Sequence, residues 1–372
     1  MTGGTSRTLG DRFDAGDTLG FDYLRLVLAS AILVWHSYPI SFGLASSGHP
    51  AALALAKTVV PLFFGLSGFL VASSLERTRG LGAFLLARAF RVLPALAASV
   101  LFAALLLGPL VTRLPLKDYV SHPEFAAYFL NAAGIMHFPL PGVFEGNPLP
   151  RVVNGSLWTI PWELVAYAGL AALAFARLFK LWALAALLIA LTGWQLADPP
   201  QHVAGGLGAP GSVLVTTFVA GALLYRLRRR VPAYPLLALA AVLAGAALLS
   251  QAAVSALAAL PIAYGSVALG CTRPASTALV RTGDYSYGIY LFAFPIQQLV
   301  ASGPGAGHPW LSLAATIPLT GLAAYLSWHL IEGPALALKK RLVGSGRAAR
   351  GGAGEAAKRE VVPRDGIEPP TP

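Results

Sequence analysis

Ten stretches of this chain are apolar over all or most of the length of a membrane-spanning helix, and short, often basic segments interrupt them. A helix crossing the hydrocarbon core takes about 20 mostly apolar residues, because each backbone N–H and C=O must be paired within the segment itself. The stretches run near 21–42, 54–75, 92–112, 157–176, 181–197, 211–225, 234–251, 254–272, 285–302 and 310–331. The fifth and sixth are short and the seventh and eighth nearly continuous, so nine is the alternative count. Charged residues make up 12% of the chain, against the roughly 25% that covers a soluble fold. The mean hydropathy is +0.66. These features predict an all-α polytopic transmembrane bundle over 21–335, preceded by a polar segment, 1–20, and followed by a tail, 336–372. The tail has no apolar face and reads as disordered. The first 20 residues lack an apolar core and read as no cleaved signal peptide.

The formal charge is +11, which in a soluble chain would point to nucleic acid. In a chain this apolar it reads as orientation instead. With both termini in the cytoplasm, the inner segments are 1–20, 76–91, 177–180, 226–233, 273–284 and the tail. They carry 22 of the 27 Lys and Arg residues, as the excess of positive charge on cytoplasmic loops requires. The single cysteine, Cys271, excludes an intrachain disulfide, a cysteine zinc site and an iron–sulfur cluster.

Ionisable side chains inside a span are costly and are candidate functional residues. Arg25 and His36 share the first stretch. Eleven residues at about 100° each return to the same face, and at 1.5 Å per residue they lie about 16 Å apart along the axis. The alternatives are a snorkelling Arg25 neutralised by Asp22 and a His36 within an aromatic belt with Trp35 and Tyr38. Glu163 lies about six residues into the fourth stretch, at a depth matching His36. A carboxylate there can orient the imidazole as a general base. The alternative is a carboxylate that caps the helix after Pro161.

In the second stretch, Gly65 and Gly68 flank Ser67 and allow close approach of a helix or a ligand. Arg88 and Arg91, spaced i, i+3 on a short cytoplasmic helix, can grip a phosphate, or can serve only as positive-inside charge. The long outer segment, about 113–156, contains the polar run KDYVSHPEF and is either a substrate-contacting loop or a connector.

Together these motifs resemble the acyltransferase-3 family of bacterial integral-membrane O-acyltransferases, over about 20–335. The family's Arg, ten residues, His pattern is Arg25 and His36. Its paired Phe with Ser-Gly-Phe-Leu is Phe63, Phe64, Ser67, Gly68, Phe69 and Leu70. Its Arg-x-x-Arg is Arg88 and Arg91, and its Ser-Leu-Trp run closing with Glu is Ser156, Leu157, Trp158 and Glu163. Its late Ser-Tyr-x-x-Tyr-Leu is Ser286, Tyr287, Tyr290 and Leu291, ahead of Pro295. Two positions depart from the pattern. Ala293 stands where many members carry His, and the terminal Glu-Arg-Pro-like motif reads Glu332, Gly333, Pro334.

The resemblance implies an enzyme of the bacterial cytoplasmic (inner) membrane with no bound cofactor and no metal. Its co-substrate would be acyl-CoA, commonly acetyl-CoA, and its acceptor a hydroxyl of an extracytoplasmic polysaccharide or lipid-linked glycan. Membrane lipids would surround it, and nucleic acid has no part. It implies His36, Glu163 and Arg25 as catalytic residues and Arg88, Arg91, Ser67, Trp158 and Tyr290 as substrate-binding ones. Two other classes compete. One is a transporter or flippase, which places ionisable residues on inward faces without consuming acyl-CoA. The other is an intramembrane serine protease pairing Ser67, within Gly65-Leu66-Ser67-Gly68, with a late histidine such as His329.

Overall fold

A computed structural model of the chain describes residues 8–16, 19–44, 50–78, 80–200, 208–275, 277–303 and 305–342. Among these the regular structure is helical and no strand forms; one isolated bridge joins Thr8 to Pro232. The helices are α1 (Leu9–Phe13), α2 (Leu19–Phe42), α3 (Pro50–Arg77), α4 (Leu81–Leu101), α5 (Gly108–Val111), α6 (Leu116–Ser121), α7 (Pro123–Tyr128) and α8 (Ile160–Phe175). They continue with α9 (Leu181–Ala197), α10 (Gly211–Leu227), α11 (Pro235–Leu249), α12 (Ala259–Gly270), α13 (Ala278–Thr282), α14 (Ser286–Ala301) and α15 (Pro309–Ser327).

Every one of the ten apolar stretches contains a helix. Six continuous helices are long and apolar enough to cross a membrane: Leu19–Phe42, Ala56–Arg77, Leu81–Val111, Gly155–Phe175, Ala252–Gly270 and Pro309–Leu342. The helices α9, α10, α11 and α14 are shorter, at 17, 17, 15 and 16 residues. At 1.5 Å per residue they reach roughly 23–26 Å, less than a hydrocarbon core of about 30 Å. The tail predicted as disordered from 336 begins instead as helix, since the last span runs on to Leu342, and its remainder lies outside the described residues.

The third stretch starts eleven residues earlier than its apolar run. Nothing between Leu81 and Leu93 breaks a helix once Gly82 is passed, so α4 runs unbroken through Arg88, Arg91 and Pro94. Both arginines therefore belong to the long helix itself and not to a separate surface helix. The same helix then widens into a π segment, Phe102–Leu107, before α5. The Gly108 N–H reaches back five residues to the Ala103 carbonyl, and Pro109 supplies no N–H of its own. A second π segment, Trp328–Glu332, follows α15 and ends on a Glu332 that is only 2% exposed.

The core sits where α3 crosses α10. A Cβ on Gly68 would land on the Phe218 carbonyl oxygen, and one on Gly221 would land on the Gly65 carbonyl oxygen. Only hydrogen at these positions lets the two backbones meet, which settles the packing role of the glycines around Ser67. Residues 8–13 also belong to this core. Thr8 and Asp11 form a capping box, Leu9 N–H donates to Val231 O at 2.8 Å, and Phe13 packs edge-on against Phe21, Phe69 and Tyr225.

The basic segments gather at one end of the bundle. Glu76 pairs with Arg226 and Arg228, Arg228 also with Asp14, and the Tyr23 hydroxyl donates to Ala275 O. The opposite end holds 112–154, which is a packed unit. Tyr119 and Tyr128 are buried there with Leu140, Val143 and Val153, and burial pushes both phenols above their ordinary pKa. The Gln298 side-chain amide donates to Leu149 O and Val152 O at 2.8 Å each and so fastens this unit to α14. Around the flanks, large apolar side chains point outward, as far as Leu236 at 83% exposed. That surface suits acyl chains and not water.

Candidate active site

Between α2, α3, α4, α8 and α14 lies a cavity of about 150 Å³. Its polar lining comes from Arg25, Ser67, Arg88, Arg91, Thr159, Glu163, Tyr167, Ser286, Tyr287 and Tyr290, among apolar residues such as Phe63, Phe64 and Leu70. Six of the eight residues assigned a role from the sequence thus line this one cavity. His36 and Trp158 do not. Trp158 instead packs its ring against Gly208. No residue of 113–156 lines the cavity either.

The arginines are tied down by carboxylates to unequal degrees. Asp284, in the turn before α14, receives Arg91 Nη2 at 2.6 Å and Arg25 Nη2 at 3.3 Å on the same oxygen. Its other oxygen accepts the Ser286 hydroxyl at 2.5 Å and the Ser286 N–H at 3.3 Å. Arg25 also pairs with Asp22, and Arg91 Nη1 meets Glu332 Oε2 at 3.4 Å. Glu332 is steadied by the Ser327 hydroxyl at 2.9 Å. Burial acts to raise the Asp284 pKa, but Arg91, Arg25 and the Ser286 donors outweigh it and hold the carboxyl well below the usual range. The result is an alternating row of charges, Asp22, Arg25, Asp284, Arg91, Glu332.

Arg88 stands outside that row. Among the described residues no carboxylate lies within ion-pair distance of it. Its Nη2 reaches only Ser74 Oγ, at 3.4 Å, and its buried Nε has no partner. The guanidinium sits 6.0 Å from the centre of the Tyr167 ring.

The expected Glu163–His36 pair does not form. Glu163 accepts the Tyr167 hydroxyl, and α8 packs chiefly on α10, α4 and α3. Counting residues into a helix gives a side chain's depth, not the direction it faces, and α2 and α8 are not the neighbours that equal depth assumed. His36 packs edge-on against Phe294, with ring centres 5.0 Å apart, and its Nδ1 is buried without a hydrogen-bond partner.

Phe294 lies one turn beyond Tyr290 on α14, so His36 sits about one turn past the Tyr290 end of the cavity. Between them is a clasp. The Tyr290 hydroxyl meets Ser156 O and Thr159 Oγ1 at 2.5 Å each, and Asn154 Nδ2 donates to Leu291 O at 2.8 Å. The 16 Å or so between Arg25 and His36 also means that both cannot serve one carbonyl group.

The proposed protease dyad is absent. His329 Nε2 lies 3.3 Å from the Tyr285 hydroxyl and its ring lies tilted against Tyr325, with centres 4.3 Å apart. Asp284, Thr159 and Tyr167 are the site residues that the sequence did not single out, and Tyr287 entered only as part of a motif. For Asp284 the only available signal was its place two residues before Ser286.

Residues 18–331 match the family model described as an acyltransferase domain. Two relatives align over nearly their whole lengths. The protein named O-acetyl transferase from Shigella phage Sf6 is 26% identical over 332 residues, covering 84% of this chain and 94% of its own. Nodulation protein 10 of Rhizobium leguminosarum bv. viciae is 29% identical over 366 residues, covering 88% and 96%. No solved structure matches the chain. With the family model spanning most of its length, and helices suited to a bilayer, the chain is an integral membrane protein of the acyltransferase-3 family and an O-acyltransferase.

Proposed function

We propose that the protein moves an acyl group, acetyl in the first instance, from cytoplasmic acyl-CoA to a hydroxyl of an extracytoplasmic glycan, with His36 as general base. The chain would cross the bacterial inner membrane ten times with both termini inside. The observation that carries this reading is the polarity of the site. Guanidinium groups gather where the basic segments meet, and the one histidine of α2 lies farther along the same helix, beyond the cavity. The relative named O-acetyl transferase supports acetyl as the group moved.

In this mechanism Arg88 binds a donor phosphate at the inner end, and the pantetheine arm threads the cavity past Ser67, Glu163 and Tyr290. Arg25 steadies the polar part of that arm. The thioester carbon has to lie near His36, which takes the proton of the acceptor hydroxyl as its oxygen attacks the carbonyl. The carbon–sulfur bond breaks, and the thiolate of CoA takes the proton back from the imidazolium. Glu163, held by Tyr167, acts as a wall carboxylate and not as the group that orients His36.

The test is His36→Ala with labelled acetyl-CoA and membrane vesicles. Transfer to glycan should fall by about 10²–10⁴-fold, while membrane accumulation and acetyl-CoA affinity stay as in the wild type. A variant that still transfers acetyl groups at the wild-type rate removes His36 from the chemistry. Mass spectrometry of surface glycan, with and without the gene, then identifies the acceptor by the gain of one acetyl mass.

A further inference from the structure

We propose that Asp284 is the positioning residue of the donor end: one carboxylate that fixes Arg25 and Arg91 side by side and leaves Arg88 as the cation available to the donor. This rests on reading the cavity as the donor site. All of its acceptor positions are engaged. One oxygen takes both guanidiniums, at 2.6 and 3.3 Å, and the other takes the hydroxyl and the N–H of Ser286. A carboxylate held on both oxygens cannot rotate, so it passes the position of α14's first turn to two arginines on two other helices. The N-terminal amides of α14 favour negative charge at that place.

The arrangement also shows what would follow its loss. The two guanidinium nitrogens on Asp284 are no more than about 6 Å apart, and without the shared carboxylate they repel. Each keeps a second carboxylate partner. Arg25 has Asp22 and Arg91 has Glu332. They would therefore swing apart, each toward its remaining carboxylate, and not be stranded. The bundle survives, but Arg25 leaves its place along the cavity and Arg91 draws back toward α15. A residue that only stabilised the fold would show the reverse: loss of the folded protein with normal chemistry in whatever remained.

The experiment compares full-length wild type, Asp284→Asn, Asp284→Glu and Arg88→Ala, reconstituted in lipid vesicles. It measures the acetyl-CoA dissociation constant, the rate of labelled acetyl transfer at saturating donor, and the thermal unfolding midpoint. Asp284→Asn should lose about tenfold or more in transfer rate, with acetyl-CoA affinity changed less than about threefold and the midpoint preserved. Asp284→Glu should recover a large part of that rate, because the charge returns one methylene displaced.

Wild-type transfer by Asp284→Asn overturns the proposal, as does a rate loss that Asp284→Glu does not relieve at all. Should Asp284→Asn fail to fold, Asp284→Glu alone decides. A slowed rate at unchanged affinity supports positioning. A wild-type rate, or a second failure to fold, makes Asp284 a structural counter-ion and overturns it. The donor reading fails separately, if the wild type does not bind acetyl-CoA or if Arg88→Ala binds it unchanged.

Discussion

Arg88 and Arg91 are one turn apart on α4 and chemically the same, yet their surroundings divide the work between them. Arg91 is held by Asp284 and Glu332, whereas Arg88 has only a long contact to Ser74 and an unpartnered Nε. A phosphate would have to displace two carboxylates from Arg91 and none from Arg88. Arg88→Ala is therefore expected to raise the KM for acetyl-CoA about tenfold or more with little change in stability, since a hydrogen bond to a charged group contributes about 1.5–3 kcal/mol. Arg91→Ala takes the nearer cation from Asp284, which keeps Arg25, and removes the guanidinium from Glu332, and should lower the unfolding midpoint by the equivalent of about 1–3 kcal/mol. Steady-state kinetics and thermal unfolding of the two variants, run side by side, check this division. An equal KM effect from both would return them to a joint grip. The spacing of the two arginines was legible in the sequence, but the division was not. It depends on an aspartate 193 positions from Arg91 in a polar turn, and a turn aspartate ordinarily marks nothing more than a turn.

Helices were the most readable level, because a segment in lipid must satisfy its own backbone and therefore needs a long apolar run. Every one of the ten runs became a helix, and α9 was placed at 181–197, as found. The start of α4 was missed because the charged run was read as a separate short helix on the cytoplasmic face. Arg88 and Arg91 face an internal cavity, where their cost is offset by Asp284, Glu332 and Ser74, so the helix needs no break around them. The two π segments have no counterpart in the apolar pattern at all. Close crossing of α3 and α10 was foreshadowed by Gly65 and Gly68, and here the packing explanation prevailed over a nucleophile phrase. Gly68→Leu should therefore abolish stable accumulation in the membrane, because its side chain meets backbone at Phe218. Gly169→Ala, in α8 with nothing within 4 Å of an added Cβ, should be neutral or slightly favourable. Size-exclusion profiles of the two variants in detergent distinguish the outcomes.

Taken whole, the bundle sorts its charges by end: basic segments and α1 at one, the packed 112–154 unit at the other. If the first end is cytoplasmic, a cysteine at Lys117 should react with an impermeant maleimide in intact cells. A cysteine at Arg229, also exposed, should react only after permeabilisation. Cys271 is buried and does not compete for the label. The opposite labelling pattern would invert the chain and, with it, the side from which the donor arrives. Depth in the membrane could be counted from the sequence; the angular position of each helix could not, which is why Glu163 and His36 matched on paper and part company in space. The clasp of Tyr290 on Ser156 and Thr159 has a consequence for the cell as much as for the reaction. If the two substrates arrive from opposite faces, as proposed, the path between them is a channel waiting to form. On the proposed route, the two contacts of the Tyr290 hydroxyl and the Asn154 amide on Leu291 would stand between the cavity and His36. If the donor reaches His36 from the cavity, as proposed, the contacts it must part are the same ones that would keep the membrane electrically tight when no donor is there.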